Sequence, residues 1–254
     1  MASAGLALGA GDILVAQTFT SQRKIADKVK IAYIGIGNRG EQIIGDFART
    51  GMVEVVALCD VDMGAPHTQK VMNMYPKAKR FRDFRQMFDK AGNDFDAVAI
   101  ATPDHSHFPI SMLALASGKH VYVEKPLART FYEAELLMQA ALKRPNLATQ
   151  VGNQGHSEAN YFQFKAWMDA GIIKDVTAVT AHMNNPRRWH GWDTGIYKLP
   201  VGQQLPNDMD WDAWLGVTPY HEYNKDYHLG QWRCWYDFGM GCFNRRKFCI
   251  FKNC

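Results

Sequence analysis

Lys30-Ile31-Ala32-Tyr33-Ile34-Gly35-Ile36-Gly37-Asn38-Arg39-Gly40 is the stretch on which the fold turns. Residues with strand character run into a G-x-G-x-x-G turn, and a helical pattern follows. A second strand-like run, Val53-Glu54-Val55-Val56-Ala57-Leu58, then leads to Asp60. A glycine triplet between strand and helix, with an acid about 20 positions past the last glycine, is the arrangement that binds a dinucleotide. Gly35 permits the tight turn, Gly37 lets the backbone approach a pyrophosphate, and Gly40 lets the helix lie close to the strand. Asn38 and Arg39 complete the turn, and the helix start offers unpaired N–H groups to the phosphates. Asp60 can accept hydrogen bonds from an adenosine ribose. Its charge repels a 2′-phosphate, so NAD is favoured over NADP. The bland alternative is a glycine-rich turn without a ligand, and the context of the motif weighs against it.

Outward from this unit, strand and helix keep alternating. A helix is expected over Met63 to Tyr75, a short strand at Lys79-Arg80-Phe81, and a helix from Asp83. Asp96 to Ala101 is apolar on both faces, as buried parallel strands tend to be. A helix over Pro109 to Ser117 comes next, then a strand at His120 to Val123. Thr130 caps a helix that runs to Lys143, and Leu147 to Val151 is the last strand of the series. This pattern predicts a doubly wound parallel sheet over residues 29–151.

Beyond Gly152 the pattern changes. Ser157 to Ala170 has Tyr161, Phe164, Trp167 and Met168 at helical spacing, which predicts a helix with those side chains in a core. Asp175 to Met183 alternates like a strand of an open sheet, with His182 as a core histidine. Asn184 to Asn207 reads as a long polar and aromatic loop, and loops of that length are usually functional. Trp211 to Gly216 reads as a helical turn.

Loops that follow parallel strands emerge at one edge of the sheet, and ligands bind there. The turn Gly35–Gly40, Asp60, Thr102–His107, Glu124–Pro126 and Asn153–His156 should therefore converge on one crevice. Lys125 stands out. A lysine beside a nicotinamide can donate to the oxygen of a reacting alcohol or carbonyl. Partial burial would tune its exchange of a proton. The alternative, a surface lysine in a turn, is weakened by Pro126, which stiffens that turn.

Taken in order, Lys30 to Gly37, Ala101-Thr102-Pro103-Asp104-His105-Ser106-His107 and Glu124-Lys125-Pro126-Leu127 resemble the Gfo/Idh/MocA oxidoreductases. The resemblance runs from about Val29 to Gly241, and Glu-Lys-Pro is its most specific element. It implies a Rossmann domain over 29–151, then an α/β domain with an open, mostly antiparallel sheet, here incomplete and covering 152–241. It implies NAD(P)-dependent chemistry at a hydroxyl carbon of a sugar, polyol or related carbohydrate. It also implies that Thr102 and His107 lie along the cofactor, with Glu124 near it and Lys125 at nicotinamide and substrate. Asn153, Gln154, His156, Arg188, Trp189, His190 and Trp192 are candidates for holding a carbohydrate, although for each a structural role is as plausible. A glycosidase that oxidises its sugar transiently is the second reading, and a cofactor-binding chain without turnover is the third. Such enzymes are usually homo-oligomers, assembled through a sheet face largely missing here.

Trp232 to Gly241 also resembles the family, which continues there into Asp-x-x-x-His. This chain instead ends in Cys242 to Cys254, where Arg245, Arg246, Lys247 and Lys252 stand with no acid. Without them, 25 basic residues face 25 acidic ones, so the net charge of +4 gives no footprint for nucleic acid. The reading of 242–254 is an aberrant tail. Three of the five cysteines lie in it, at spacings that fit no zinc pattern or disulfide framework, so no metal site is expected. No run of 18 apolar residues is long enough to span a bilayer. Residues 1–28 open on a small, apolar segment like the end of a secretory signal without its basic start, which leads to an expectation of export to the periplasm.

Overall fold

The computed structural model describes residues 28–153, 155, 157–180, 200–228 and 230–240. Six strands form one sheet: β1 (Val29–Ile34), β2 (Val53–Cys59), β3 (Lys79–Phe81), β4 (Ala97–Ile100), β5 (His120–Glu124) and β6 (Thr149–Gly152). Their order is β3-β2-β1-β4-β5-β6 and every pairing is parallel. The order reverses between β1 and β4, so a crevice opens there beyond the carboxyl ends of the strands.

Between the strands run α1 (Arg39–Arg49), α2 (Pro66–Met74), α3 (Phe84–Ala91), α4 (Asp104–Ala116) and α5 (Phe131–Leu142). Two apolar layers flank the sheet. One joins Ala32, Ile34, Val98 and Ile100 to Met87, Phe95, Ile110 and Leu137, and the other joins Ile31, Tyr33 and Leu58 to Ile43, Ile44, Val71 and Met72. Alternate residues of β1 thus serve opposite faces, as the period of two requires. Sequence chemistry sets several helix ends. Asp83 caps α3 by accepting the N–H of Arg85, Pro66 occupies the first turn of α2, and Thr130 with Glu133 makes a reciprocal capping box on α5.

Helix α4 departs from expectation. It starts at Asp104 rather than Pro109, with Pro103 ahead of it and Pro109 inside it. Proline suits a first turn, and two prolines six residues apart offer two such starts. The buried side of the first turn decides between them, because Asp104, His105 and His107 are all buried.

Past β6 the structure divides. Helix α6 (Ala159–Asp169) lies where the spacing predicts it, but none of its residues is buried. Its aromatics were expected in a core and are instead solvent-facing, because helical spacing marks an apolar face without supplying a partner for it. Residues 175–180 carry no strand, and 181–183 lie outside the described residues. A strand needs a hydrogen-bonded neighbour, and none is present for 175–180 among the described residues. Residues 200–240 by contrast build a third core around α7 (Trp211–Leu215): Met209, Trp211, Trp214, Leu215, Tyr227, Trp232 and Phe238.

That third core is tied to the carboxyl edge of the sheet. Asp210 donates its N–H to Val61 O at 2.8 Å, and Asp62 and Met209 form an antiparallel bridge. The N–H of His105 reaches Phe238 O at 3.1 Å, and the Arg129 guanidinium reaches Tyr236 O at 3.1 Å and also Asp237 O. Residues 208–240 therefore run along the rim of the crevice. No helix among the described residues is long and apolar enough to cross a membrane.

Candidate functional site

The glycine turn is shaped as its spacing predicts. Gly35 has φ +77°, and a Cβ there would lie 2.8 Å from the Ala101 carbonyl, so the turn presses on the loop after β4. A Cβ on Gly40 would run into the Gly35 carbonyl, which seats α1 on the turn. Asn38, also at positive φ, stands at the N-cap without a side-chain capping bond, so the helix start is not closed off by its own cap.

Asp60 directly follows β2 and braces the turn. One carboxylate oxygen accepts the N–H of Ile36 at 2.9 Å and the other that of Asp62 at 3.0 Å. Burial raises its pKa, and these two N–H donors with the nearby His67 oppose that rise. A carboxylate has about four acceptor positions, so Asp60 can hold the turn and still accept from a ribose. Glycines that only fit bare, an uncapped helix start and a carboxylate with spare lone pairs suit a dinucleotide.

Arg39 and Glu124 turn out to serve each other. Two nitrogens of the guanidinium approach one oxygen of Glu124 at 2.9 Å, and Glu124 is buried. Tyr122 points its hydroxyl at the same oxygen from 3.5 Å, and Gly152 lies so close that a Cβ would be 2.7 Å from it. The pair staples the start of α1 to the end of β5. Glu124, expected near the cofactor, and Arg39 of the turn thus brace each other, with the Glu124 carboxylate covered and Arg39 still partly exposed.

His107 is likewise inside the wall of the crevice. It is 1% exposed, with Nδ1 2.7 Å from Pro126 O and Nε2 2.9 Å from Thr102 O. It joins the loops after β4 and β5 and is covered from any ligand. Thr102 is half-buried at the edge, and its hydroxyl accepts from Ser106 at 2.8 Å. Lys125 is exposed on the turn next to that clamp, preceding a cis Pro126. The expected partial burial is absent, because Lys125 projects from the last position of the wall.

Asn153 is exposed directly after β6. Gln154, His156, Arg188, Trp189, His190 and Trp192 lie outside the described residues, as do 1–27, His182 and the tail 241–254.

Several groups had no role assigned to them from the sequence, although Asp104 and His105 stand within the motif quoted for the family. Asp104, buried at the start of α4, accepts the Met240 N–H at 3.3 Å. Burial raises its pKa against the pull of His107, Arg233 and Lys125. His105 donates to Trp214 O at 2.6 Å, and burial pushes its pKa down to about 4. His221 pairs with Asp237 at 2.8 Å. All rest on contacts between residues far apart in sequence, so no local pattern announces them. Among the described residues, no group of three His, Cys, Asp or Glu could hold a metal.

Residues 29–153 match the oxidoreductase family with an NAD-binding Rossmann fold, Gfo/Idh/MocA. Over that segment the chain carries the family's NAD-binding fold. It is 28% identical to inositol 2-dehydrogenase of Salmonella paratyphi B over 191 residues, covering 74% of this chain and 54% of that one. It is 31% identical to a glycosyl hydrolase family 109 protein of Streptomyces niveus, covering 68% of this chain and 36% of that one. Scyllo-inositol dehydrogenase from Lactobacillus casei, solved with bound NAD(H) and scyllo-inositol, superposes with a TM-score of 0.53 at 28% identity, covering 59% of this chain and 44% of that one. The chain spans about half the length of the inositol dehydrogenases it matches.

Proposed function

We propose that this Gfo/Idh/MocA chain carries the cofactor-binding part of an NAD-dependent dehydrogenase for a polyol or sugar. The observation that carries this reading is the crevice. The bare glycine turn, Asp60 with its spare acceptor positions and the exposed Lys125 lie along one edge of a sheet whose order reverses beside them. When bound, NAD would supply the acceptor for a hydride from the substrate carbon. The residues of the chain do the rest. Asp60 holds the adenosine end by its free lone pairs, and the start of α1 faces the phosphates. Lys125 reaches the substrate oxygen, where an ammonium favours the alkoxide character that develops as hydride leaves. Inositols are the first substrates to try, because the relatives include inositol dehydrogenases. Asn153 follows β6 onto the same edge and is proposed as a substrate contact.

The test is NADH binding by fluorescence, followed by reduction of NAD with a panel of inositols and sugars. Lys125→Ala should leave NADH binding intact and lower turnover by about 10²–10⁴-fold. Turnover that ignores the substitution would exclude this site. A second reading, glycoside cleavage through transient oxidation, is favoured by the family 109 relatives. It is separated by one result, release of an aglycone with no net NADH. Binding of NADH with neither activity would leave a cofactor-binding chain.

A further inference from the structure

His67 has no part in the site so far. It is half-buried in the first turn of α2, beside Pro66. Its neighbour Thr68 is fully buried, and the Thr68 hydroxyl lies 2.6 Å from Asp62 O and 2.7 Å from Ala65 O. The start of α2 is thereby pinned to the end of β2. This pinning sets the imidazole against the glycine turn. A Cβ on Gly37 would lie 2.6 Å from His67 Nε2 and would overlap Cδ2. The ring thus borders the bare Cα at the point where this fold brings a pyrophosphate to the backbone. Neither ring nitrogen has a hydrogen-bond partner among the described residues. The ring therefore keeps its hydrogen-bonding capacity for a ligand. The charged and titratable groups near it are Asp60 on one side and the Asp62–His228 pair, 3.8 Å apart, on the other.

We propose that His67 is a ligand of the dinucleotide, donating a ring N–H to the pyrophosphate beside Gly37. The inference rests on the NAD-binding reading and adds to it a residue outside the glycine motif. Neutral and cationic imidazole both carry at least one N–H, so the contact does not depend on the charge state. On the NAD-binding reading Asp60 takes the ribose, which leaves the phosphates to the Gly37 side of the turn.

The experiment is calorimetric titration of ADP, NADH and adenosine into the wild-type chain, His67→Ala and His67→Asn. Matched thermal midpoints would show that all three proteins are folded. His67→Ala should weaken ADP and NADH by about tenfold or more, the worth of a hydrogen bond to a charged group. Adenosine, which lacks the diphosphate, should bind as to wild type, and His67→Asn should recover part of the loss. Unchanged ADP affinity in His67→Ala overturns the proposal. So does an equal loss for adenosine, which would make the ring only a wall, or tighter binding, which would make it an obstruction. If the wild-type chain binds neither ADP nor NADH, the dinucleotide reading itself fails, and the proposal with it.

Discussion

Two aromatic stretches follow the sheet and meet opposite fates. In α6, Tyr161, Phe162, Phe164 and Trp167 are 38–59% exposed. In 208–238, Trp211, Trp214, Tyr227, Trp232 and Phe238 are at most 6% exposed. Apolar content does not separate them, and regular spacing favours the wrong one. What separates them is anchorage. The second stretch is held by backbone hydrogen bonds at Val61, by His105 and by Arg129, so its rings close on one another and on the sheet edge. Trp211 and Trp214 stack at 4.4 Å, and Trp214 meets Phe238 edge-on at 4.7 Å. Two of its indoles are satisfied as well, with Trp211 donating to His221 O at 2.7 Å and Trp235 to Asp226 O at 3.0 Å.

Substitution should break the comparison most sharply. Trp214→Ala should cost about 3–5 kcal/mol in urea denaturation, the usual toll of a buried aromatic. A loss under about 1 kcal/mol would mean that this core is not packed in solution.

Acid should separate the two stretches next. His105 holds the second to the sheet, and its folded pKa of about 4 lies below the ordinary 6.5. The unfolded histidine gains a proton first as pH falls. Stability is therefore intact above about pH 6.5 and is lost progressively down to about pH 4, by on the order of 3 kcal/mol. Asp60 and Asp104, with raised pKa values, act in the opposite sense, so their contribution fades as pH rises. His105→Gln isolates the histidine. Its stability profile over that window should be flatter than that of wild type, and parallel profiles would count against the assignment.

The smallest effect is expected in α6. Trp167→Ala should change stability by no more than about 0.5 kcal/mol, as surface substitutions do. A larger loss would show that this face is covered in solution after all.

The sheet was legible because its cues are local. The glycine turn, the acid after β2, the capping box at Thr130 and the apolar run of β4 each sit within a few residues of one another. The site was legible in outline for the same reason, since each of its loops follows a strand. The roles inside it were not. Arg39 and Glu124 are 85 residues apart, and their pairing requires that β1 and β5 flank β4. His67 has no motif to mark it, and only the hole left by the missing side chain of Gly37 draws notice to it. Helix α4 had two competing proline starts, which burial of Asp104, His105 and His107 resolved.

The ring of His107 carries one further consequence. Its two nitrogens stand against carbonyls from different loops, 2.7 Å from Pro126 O and 2.9 Å from Thr102 O. An imidazole cannot lengthen or fold. It works as a gauge block, fixing the span between the turn that bears Lys125 and the loop that touches Gly35. Any change in that span must first strain a rigid ring against two backbones.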